Sequence, residues 1–407
     1  MSGKKTGPPC LFYAAGPGDV VKTFQGWQAG QDDAHQVAVT YSGQFLDVCR
    51  ELGAKGVVVS SNPRVDLVRS DQFHIENRPK GRPRTGVRYH LQQLRYVRGL
   101  MHTAVREGAA LVIAAESTGH LFTLPWFSPA TMALVPTIHC TLWPKYGKLG
   151  LRQKILNALS RPLFARRALA MLIISEDVRR QLQLLGGDSL RPVYRFRPYY
   201  RRDTFAGIPP PQRGEKNFHI LFAGRLEENK GVFDLLEICR RLKPEVRGRV
   251  IWHLAGDGTC EERLRLAVQR LGLEERFLIH GYCHREKMMR LIEQSHAFIV
   301  PTTKAFEEGF NKVVAEAVLC RRPVITSAVC PAVDDVRPAL VEVAADDRQD
   351  YCRAVERLVE DIDFYQGRQA ACQGLQQQFY DPANSWRMQL KTIVAAYCRP
   401  MTGGGGR

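Results

Sequence analysis

Short apolar runs alternate with stretches of helical periodicity through most of the chain. The beat is clearest in the second half, where residues 218–222, 250–254, 277–280, 297–301 and 324–325 are runs of Val, Ile, Leu, Phe and Trp, several bounded by Gly or Pro. Between them, apolar positions recur every three to four residues. The first half carries a looser version, with runs at 10–15, 56–60, 110–115, 134–139 and 170–174. Strands of this length cannot alternate with helices in one polypeptide without crossover connections. The pattern therefore predicts parallel sheets covered by helices on both faces, with ligands at the carboxyl ends of the strands. The stretch Ile208-Pro209-Pro210-Pro211 separates the two series and reads as a linker.

Composition narrows the class. The 407 residues suffice for two domains, and 44% hydrophobic with 24% charged residues is ordinary for a globular protein. The eleven cysteines are scattered singly, without a Cys-x-x-Cys pair, which predicts free thiols in a reducing compartment and no zinc site. The first residues lack the apolar core of a signal peptide, and no run of eighteen apolar residues occurs. The expected location is cytoplasmic. Gly403 to Gly406 read as a flexible end.

Charge is uneven. Residues 1–213 carry 30 Lys and Arg against 14 Asp and Glu, whereas the remainder carries 28 against 27. Only the first half looks built for an anionic partner. Seven basic residues fall between 78 and 98, interleaved with Tyr89 and Tyr96. Residues 146–171 set Lys148, Arg152, Lys154, Arg161, Arg166 and Arg167 among leucines at helical spacing. Such a helix can lie on an anionic membrane surface, at the inner membrane face for a cytoplasmic protein, or can present a wet basic side while facing a core.

One segment carries the chemistry. After the apolar run ending at Pro301 come Glu307-Glu308-Gly309-Phe310-Asn311, a helical pattern from Asn311 to about Cys320, and a further run at Val324-Ile325. A strand end, a tight turn and a helix N-terminus make an anion site, because unpaired N–H groups and the helix dipole point outward. Glu308 and Glu316 flank that turn eight residues apart. If amides hold phosphate, the carboxylates serve hydroxyls, and a site offering both suits a sugar nucleotide. After residues 218–222 come Arg225 and Lys230: a guanidinium fork for paired phosphate oxygens and a compact ammonium beside it. Together they can neutralise charge on a leaving diphosphate. Gly16 and Gly18 follow the first apolar run, where glycine lets backbone approach phosphate.

Glu308-Gly309-Phe310 with Glu316-Ala317 and the Pro323-Val324-Ile325 strand resembles the Glu-x7-Glu segment of retaining glycosyltransferases of family 4, which have the GT-B fold. Gly224-Arg225-Leu226 with Lys230-Gly231 resembles the same family's diphosphate-binding segment. The resemblance is strong over about 217–345 and thin over 1–205. It implies two Rossmann-like domains with parallel sheets facing a central cleft: residues 1–205 on the acceptor side, 206–378 binding the nucleotide sugar, and 379–407 returning towards the first domain. It also implies roles. Arg225 and Lys230 hold the diphosphate, Glu316 the ribose hydroxyls and Glu308 the sugar hydroxyls, with Gly309, Phe310 and Asn311 in the turn between the acids. Gly16 and Gly18 face the donor phosphate and the acceptor. His139, ending a Pro136-x-x-His strand, sits beside the reacting sugar, with Glu116 and His120 less specific. Tyr282 and Cys283 lie near the base. No metal or cofactor is expected.

Three positions depart from the family pattern. Asn311 replaces a glycine, Cys320-Arg321 replaces Cys-Gly, and residues 329–335 replace a Gly-Gly-x-x-Glu turn that contacts phosphate. The implied reaction moves a hexosyl group with retention from a nucleoside diphosphate sugar to a hydroxyl, on a glycan or lipid-linked acceptor of polysaccharide or envelope glycan synthesis. Two rivals stay open: a catalytically inactive GT-B scaffold, and a nucleic-acid binder using Arg82 to Arg98. Nucleic acid is the less expected partner.

Overall fold

The computed structural model describes residues 9–33, 36–115, 120–211 and 216–398. Glu116 and the glycines at 403–406 lie outside them.

Two sheets organise the chain. The first contains β1 (Cys10–Ala14), β2 (Lys55–Ser60), β3 (Asp66–Arg69), β4 (Phe73–Asn77), β5 (Leu111–Ala115), β6 (Ala133–Ile138), β7 (Met171–Ile173) and β8 (Val193–Arg195), in the order β3-β4-β2-β1-β5-β6-β7-β8. All its pairings are parallel except β3 with β4. The second contains β9 (Phe218–Ala223), β10 (Val250–Ala255), β11 (Phe277–Gly281), β12 (Ala297–Val300), β13 (Val324–Ser327) and β14 (Leu340–Val343), in the order β11-β10-β9-β12-β13-β14, wholly parallel. Strand order reverses at β1 in one sheet and at β9 in the other. Each reversal opens a crevice beyond the carboxyl ends, where loops leave in opposite directions.

Four strands escape the hydrophobic pattern. β3 is an exposed edge reading Asp-Leu-Val-Arg, and β4 sets His74, Glu76 and Asn77 around Phe73 and Ile75. β8 and β14 are short edges, neither of them apolar throughout. The basic segment at 146–171 is helical only from Leu151 to Pro162, after which one wider turn, Leu163–Arg167, leads into β7.

The domains are tied by side chains that reach across. The C-terminal helix Trp386–Cys398 packs on the helix Tyr41–Glu51, and Trp386 is fully buried. Its indole Nε1 donates to Thr137 Oγ1 at 3.0 Å. Arg321 adopts the left-handed backbone (φ 61°) that suits glycine, at a cost of about 1 kcal/mol. In return its guanidinium donates to the linker carbonyl of Ile208 at 2.9 Å. The neighbouring Arg322, wholly buried, donates to the carbonyls of Pro209, Ser295 and Glu293. Arg321 thus stands where the family pattern has glycine, and together with Arg322 it pins the linker to the second domain.

Candidate active site in the interdomain cleft

Two loops leave the second sheet at its strand-order reversal. After β9, Gly224-Arg225-Leu226 runs beside the β10 loop. Gly256 there has φ 143°, and a Cβ on it would lie 1.9 Å from the Gly224 carbonyl oxygen. No side chain fits, so the two loops are fixed backbone to backbone. After β12, the segment 301–311 leads into the helix Lys312–Leu319. Asn311 caps that helix, accepting from Val313 N at 3.2 Å in an ordinary extended conformation (φ −69°). The glycine replaced here is therefore not missed for its backbone freedom.

Lys230 Nζ lies 2.8 Å from Glu308 Oε2, with both side chains largely buried (13% and 10% exposed). The Asn311 amide stands 3.4 Å from the same carboxylate oxygen. The Phe306 ring supports both cations, with Lys230 Nζ 3.7 Å and the Arg225 guanidinium 5.9 Å from its centroid. Arg225 is the more exposed and pairs with Glu227 at 2.8 Å, a contact cheap to exchange for phosphate.

One turn further along the same helix stands Glu316. Tyr200 Oη donates to Glu316 Oε1 and to the Lys312 carbonyl, each at 3.3 Å. Burial pushes the Glu316 carboxyl up and the Lys312 ammonium down, while their mutual attraction opposes both shifts. Lys312 Nζ also reaches Gln36 of the first domain at 3.4 Å and lies over the Tyr41 ring.

The first domain contributes His139 at the end of β6. A Cβ on Gly309 would fall 1.6 Å from the His139 carbonyl oxygen, so the Glu308-Gly309 turn presses against that strand end. Burial, with Lys312 nearby, lowers the imidazole to about 3, leaving it neutral at working pH. Its Nε2 lies 3.1 Å from Thr137 Oγ1. The Trp386 indole can only donate, so Thr137 accepts from it, which fixes the hydroxyl that faces His139 Nε2. His139 Nδ1 is a buried atom without a hydrogen-bond partner among the described residues. The C-terminal helix thereby positions the hydroxyl beside the histidine.

A cavity of 320 Å³ spans the cleft. Arg225, Tyr282, Cys283 and Glu316 line it together with Lys312 and residues 36–38 of the first domain. Lys230, Glu308, Gly309, Asn311 and His139 form the adjoining cluster rather than its wall. Phe310 is buried among apolar side chains, 6.1 Å from the Phe379 ring. Gly16 and Gly18 lie at the end of β1 and do not line the cavity. Gly18 is exposed, and Asp19 caps the following helix through Lys22 N, placing a carboxylate at its amide end. His120 pairs with His90 (2.8 Å between ring nitrogens), away from these clusters. Lys312, Tyr200 and Gln36 went unread. Lys312 directly follows the Asn311 cap, but nothing local tells an inward lysine from a solvated one.

Residues 329–335 tie the domains. Asp335, almost fully buried, takes Arg195 and Arg197 of the first domain, and Asp334 takes Arg180 at 3.2 Å. Lys145 donates to the Ala328 carbonyl at 3.0 Å. Among the described residues, no group of three or more His, Cys, Asp or Glu could hold a metal, and no helix is long and apolar enough to cross a membrane.

Residues 208–370 match the family model described as glycosyl transferases group 1. By sequence the chain is 32% identical over 127 residues to the D-inositol 3-phosphate glycosyltransferase of Xylanimonas cellulosilytica, covering 30% of each chain. It is 30% identical over 111 residues to the amylovoran biosynthesis glycosyltransferase AmsK of Erwinia amylovora, covering 26% of this chain and 27% of that one. The chain thus matches less than a third of the length of these curated relatives. By structure it resembles Anabaena HepE, solved in complex with UDP, with a TM-score of 0.62 over 96% of this chain and 99% of that one at 17% identity. Residues 208–370 thus resemble the group 1 glycosyl transferases, and the chain has the GT-B fold.

Proposed function

We propose that the protein is a retaining glycosyltransferase that moves a hexosyl group from a nucleoside diphosphate sugar to a hydroxyl of a glycan or lipid-linked acceptor, in polysaccharide or envelope glycan synthesis. The observation that carries this reading is the convergence, across one cleft, of Arg225, the Lys230–Glu308 pair, Glu316 and His139. In this reading Arg225 and Lys230 hold the diphosphate, and Glu316, beside Tyr200, accepts from the ribose hydroxyls. Glu308 and the neutral His139 orient the sugar hydroxyls, and Tyr282 and Cys283 flank the base. The bond from the anomeric carbon to the diphosphate oxygen breaks, the bond to the acceptor oxygen forms, and the acceptor proton departs with the diphosphate. Charge growing on the leaving group is met by fixed cations in a partly dry cleft, where they act most strongly. The relative solved with UDP makes a uridine nucleotide the first donor to try, and the amylovoran relative supports a polysaccharide acceptor.

The test is a thermal-shift screen against UDP, GDP, ADP and their sugar conjugates without added metal. A ligand that binds the native state alone raises the midpoint by mass action, by about 2.7 kcal/mol of stability at a hundredfold excess over Kd. A rise with one nucleotide family is expected. A folded sample that responds to none of them would overturn the reading in favour of a scaffold.

A further inference from the structure

The first domain holds a second cavity, larger than the one in the cleft and different in charge. It is an open pocket of 590 Å³ between residues 80–84 and the start of the helix Gly86–Arg106, and Lys80, Arg82, Arg84, Arg88 and Arg95 line it with no acidic side chain among them. Here α1 is Val20–Gln28, α2 Tyr41–Glu51, α3 Gly86–Arg106, α4 Leu124–Phe127 and α5 Leu151–Pro162. Several arginines elsewhere have acids: Arg78 has Glu76, Arg201 has Asp32 and Arg387 has Glu51. Among the described residues no carboxylate pairs with Arg82, Arg84, Arg88 or Arg95. The loop is nonetheless anchored. Gln92 Nε2 donates to the carbonyls of Lys80 and Arg82 at 2.8 and 2.9 Å, and Lys80 Nζ donates to Gln93 Oε1 at 3.1 Å. The adjoining N-terminus of α3 has no acid in its first turn, and Thr85 makes no side-chain cap. Its amides are left for an anion.

The surroundings say what kind of molecule carries that anion. A cavity of 550 Å³ shares Lys80, Arg82, Arg84 and Gln92 with the first and reaches Ser61, immediately after β2. The basic site therefore leads to the carboxyl ends of the first sheet, on the acceptor side of the cleft. In the other direction lies apolar surface. Val87 and Leu91 are exposed one turn apart on α3. Tyr89, His120, Phe122 and Trp126 form a run of ring contacts from α3 to α4. α5 packs beside it and exposes Leu151, Ile155 and Leu159 four residues apart, flanked by Arg152 and Lys154. An exposed apolar stripe edged by bases matches a lipid surface.

We infer that this cavity binds the diphosphate of a lipid-linked acceptor, with the lipid lying against α3, α4 and α5. Five cations lining one open pocket suit a compact multivalent anion. Singly charged headgroups spread over a bilayer would be met by a spread face. The inference rests on the glycosyltransferase reading for the word acceptor, not for the binding itself.

The experiment is co-sedimentation of the full chain with phosphatidylcholine vesicles doped with farnesyl diphosphate, against phosphatidylcholine–phosphatidylglycerol vesicles of equal surface charge. The wild type is expected to prefer the diphosphate vesicles by about tenfold, and Arg84→Gln/Arg88→Gln to lose that preference. Both side chains are exposed and unpaired with acids, so the double variant should keep the wild-type melting temperature and the UDP-induced shift. Arg95→Gln supplies an independent variant should the double one melt early. Equal partitioning into both vesicle types, or a preference that survives in both variants, would overturn the inference. So would tight salt-dependent binding of duplex RNA without vesicle preference. A wild type that prefers diphosphate vesicles yet shows no UDP shift would sink the donor reading and leave this one standing.

Discussion

The two domains share an architecture and differ in what constrains their loops. In the second, backbone meets backbone: Gly256 lies against Gly224, and Gly309 against His139 of the other domain. In the first, the corresponding loop is roomy, and a Cβ on Gly18 would touch nothing within 4 Å. The second domain is nearly neutral, whereas the first carries the basic excess and most of the exposed large hydrophobics. The half assigned to the donor is defined by close backbone geometry, which tolerates few residue types. The half assigned to the acceptor is defined by surface side chains, which can vary.

The sharpest way to break that contrast is to add one methyl group on each side. Gly309→Ala forces the turn away from His139, because its Cβ would lie 1.6 Å from a carbonyl oxygen. A displacement near 1 Å at a reacting centre costs about a hundredfold in rate, so kcat/KM should fall by that order or more. Gly18→Ala should stay within about twofold of wild type, since the methyl enters open space and surface changes cost about 0.5 kcal/mol or less. Steady-state kinetics on the two variants decides. Comparable losses would mean that the first loop is as closely engaged as the second.

The same contrast explains what the sequence made legible. The second-domain motifs could be read because Gly-Arg-Leu, Lys-Gly and Glu-Gly-Phe each answer a local demand for a close approach, a fixed cation or a helix start. The parallel strands were legible where both faces are buried, as in β1 and β10, since such strands need continuous apolar runs. β3 and β4 were not, because an edge strand and its neighbour can alternate with polar residues. Lys312 was hidden for another reason. Its surroundings, Gln36 and Tyr41, come from the other domain, and no local pattern encodes a contact some 270 residues away. The departures at 320–321 and 329–335 had the same limit. Arg321 holding Ile208, and Asp335 held by Arg195 and Arg197, are interdomain ties visible only in three dimensions.

A second test asks whether the donor side is held by charge as well as by backbone. Lys230→Ala leaves Glu308 buried without its cation, and breaking a largely buried pair from one side costs about 3 kcal/mol. The variant should lose turnover and melt earlier. The paired replacement Lys230→Met/Glu308→Leu removes both charges, so it should recover most of the stability while activity stays lost. Denaturant unfolding alongside an activity assay separates the two. If the paired variant melts as early as Lys230→Ala, the pair is not what makes the single change costly.

The smallest expected effect concerns the element that links the halves. Trp386→Phe keeps most of the buried aromatic surface of the C-terminal helix but removes the donor to Thr137, a hydrogen bond with a net contribution of about 1 kcal/mol. The consequence for chemistry is more specific than the loss of stability. Without the indole proton, the Thr137 hydroxyl is free to turn, and its hydrogen bond with His139 Nε2 loses its fixed geometry. His139 stays in place, flanked by Tyr41 and Phe196 with ring centroids at 4.4 and 5.4 Å, and so keeps its position while its hydroxyl partner gains freedom. Turnover should fall several-fold with KM for the donor nearly unchanged, and the imidazole nitrogen resonances of His139 should shift. A fall in stability with unaltered nitrogen resonances would show that the C-terminal helix only braces the first domain and leaves the histidine's hydrogen bond untouched.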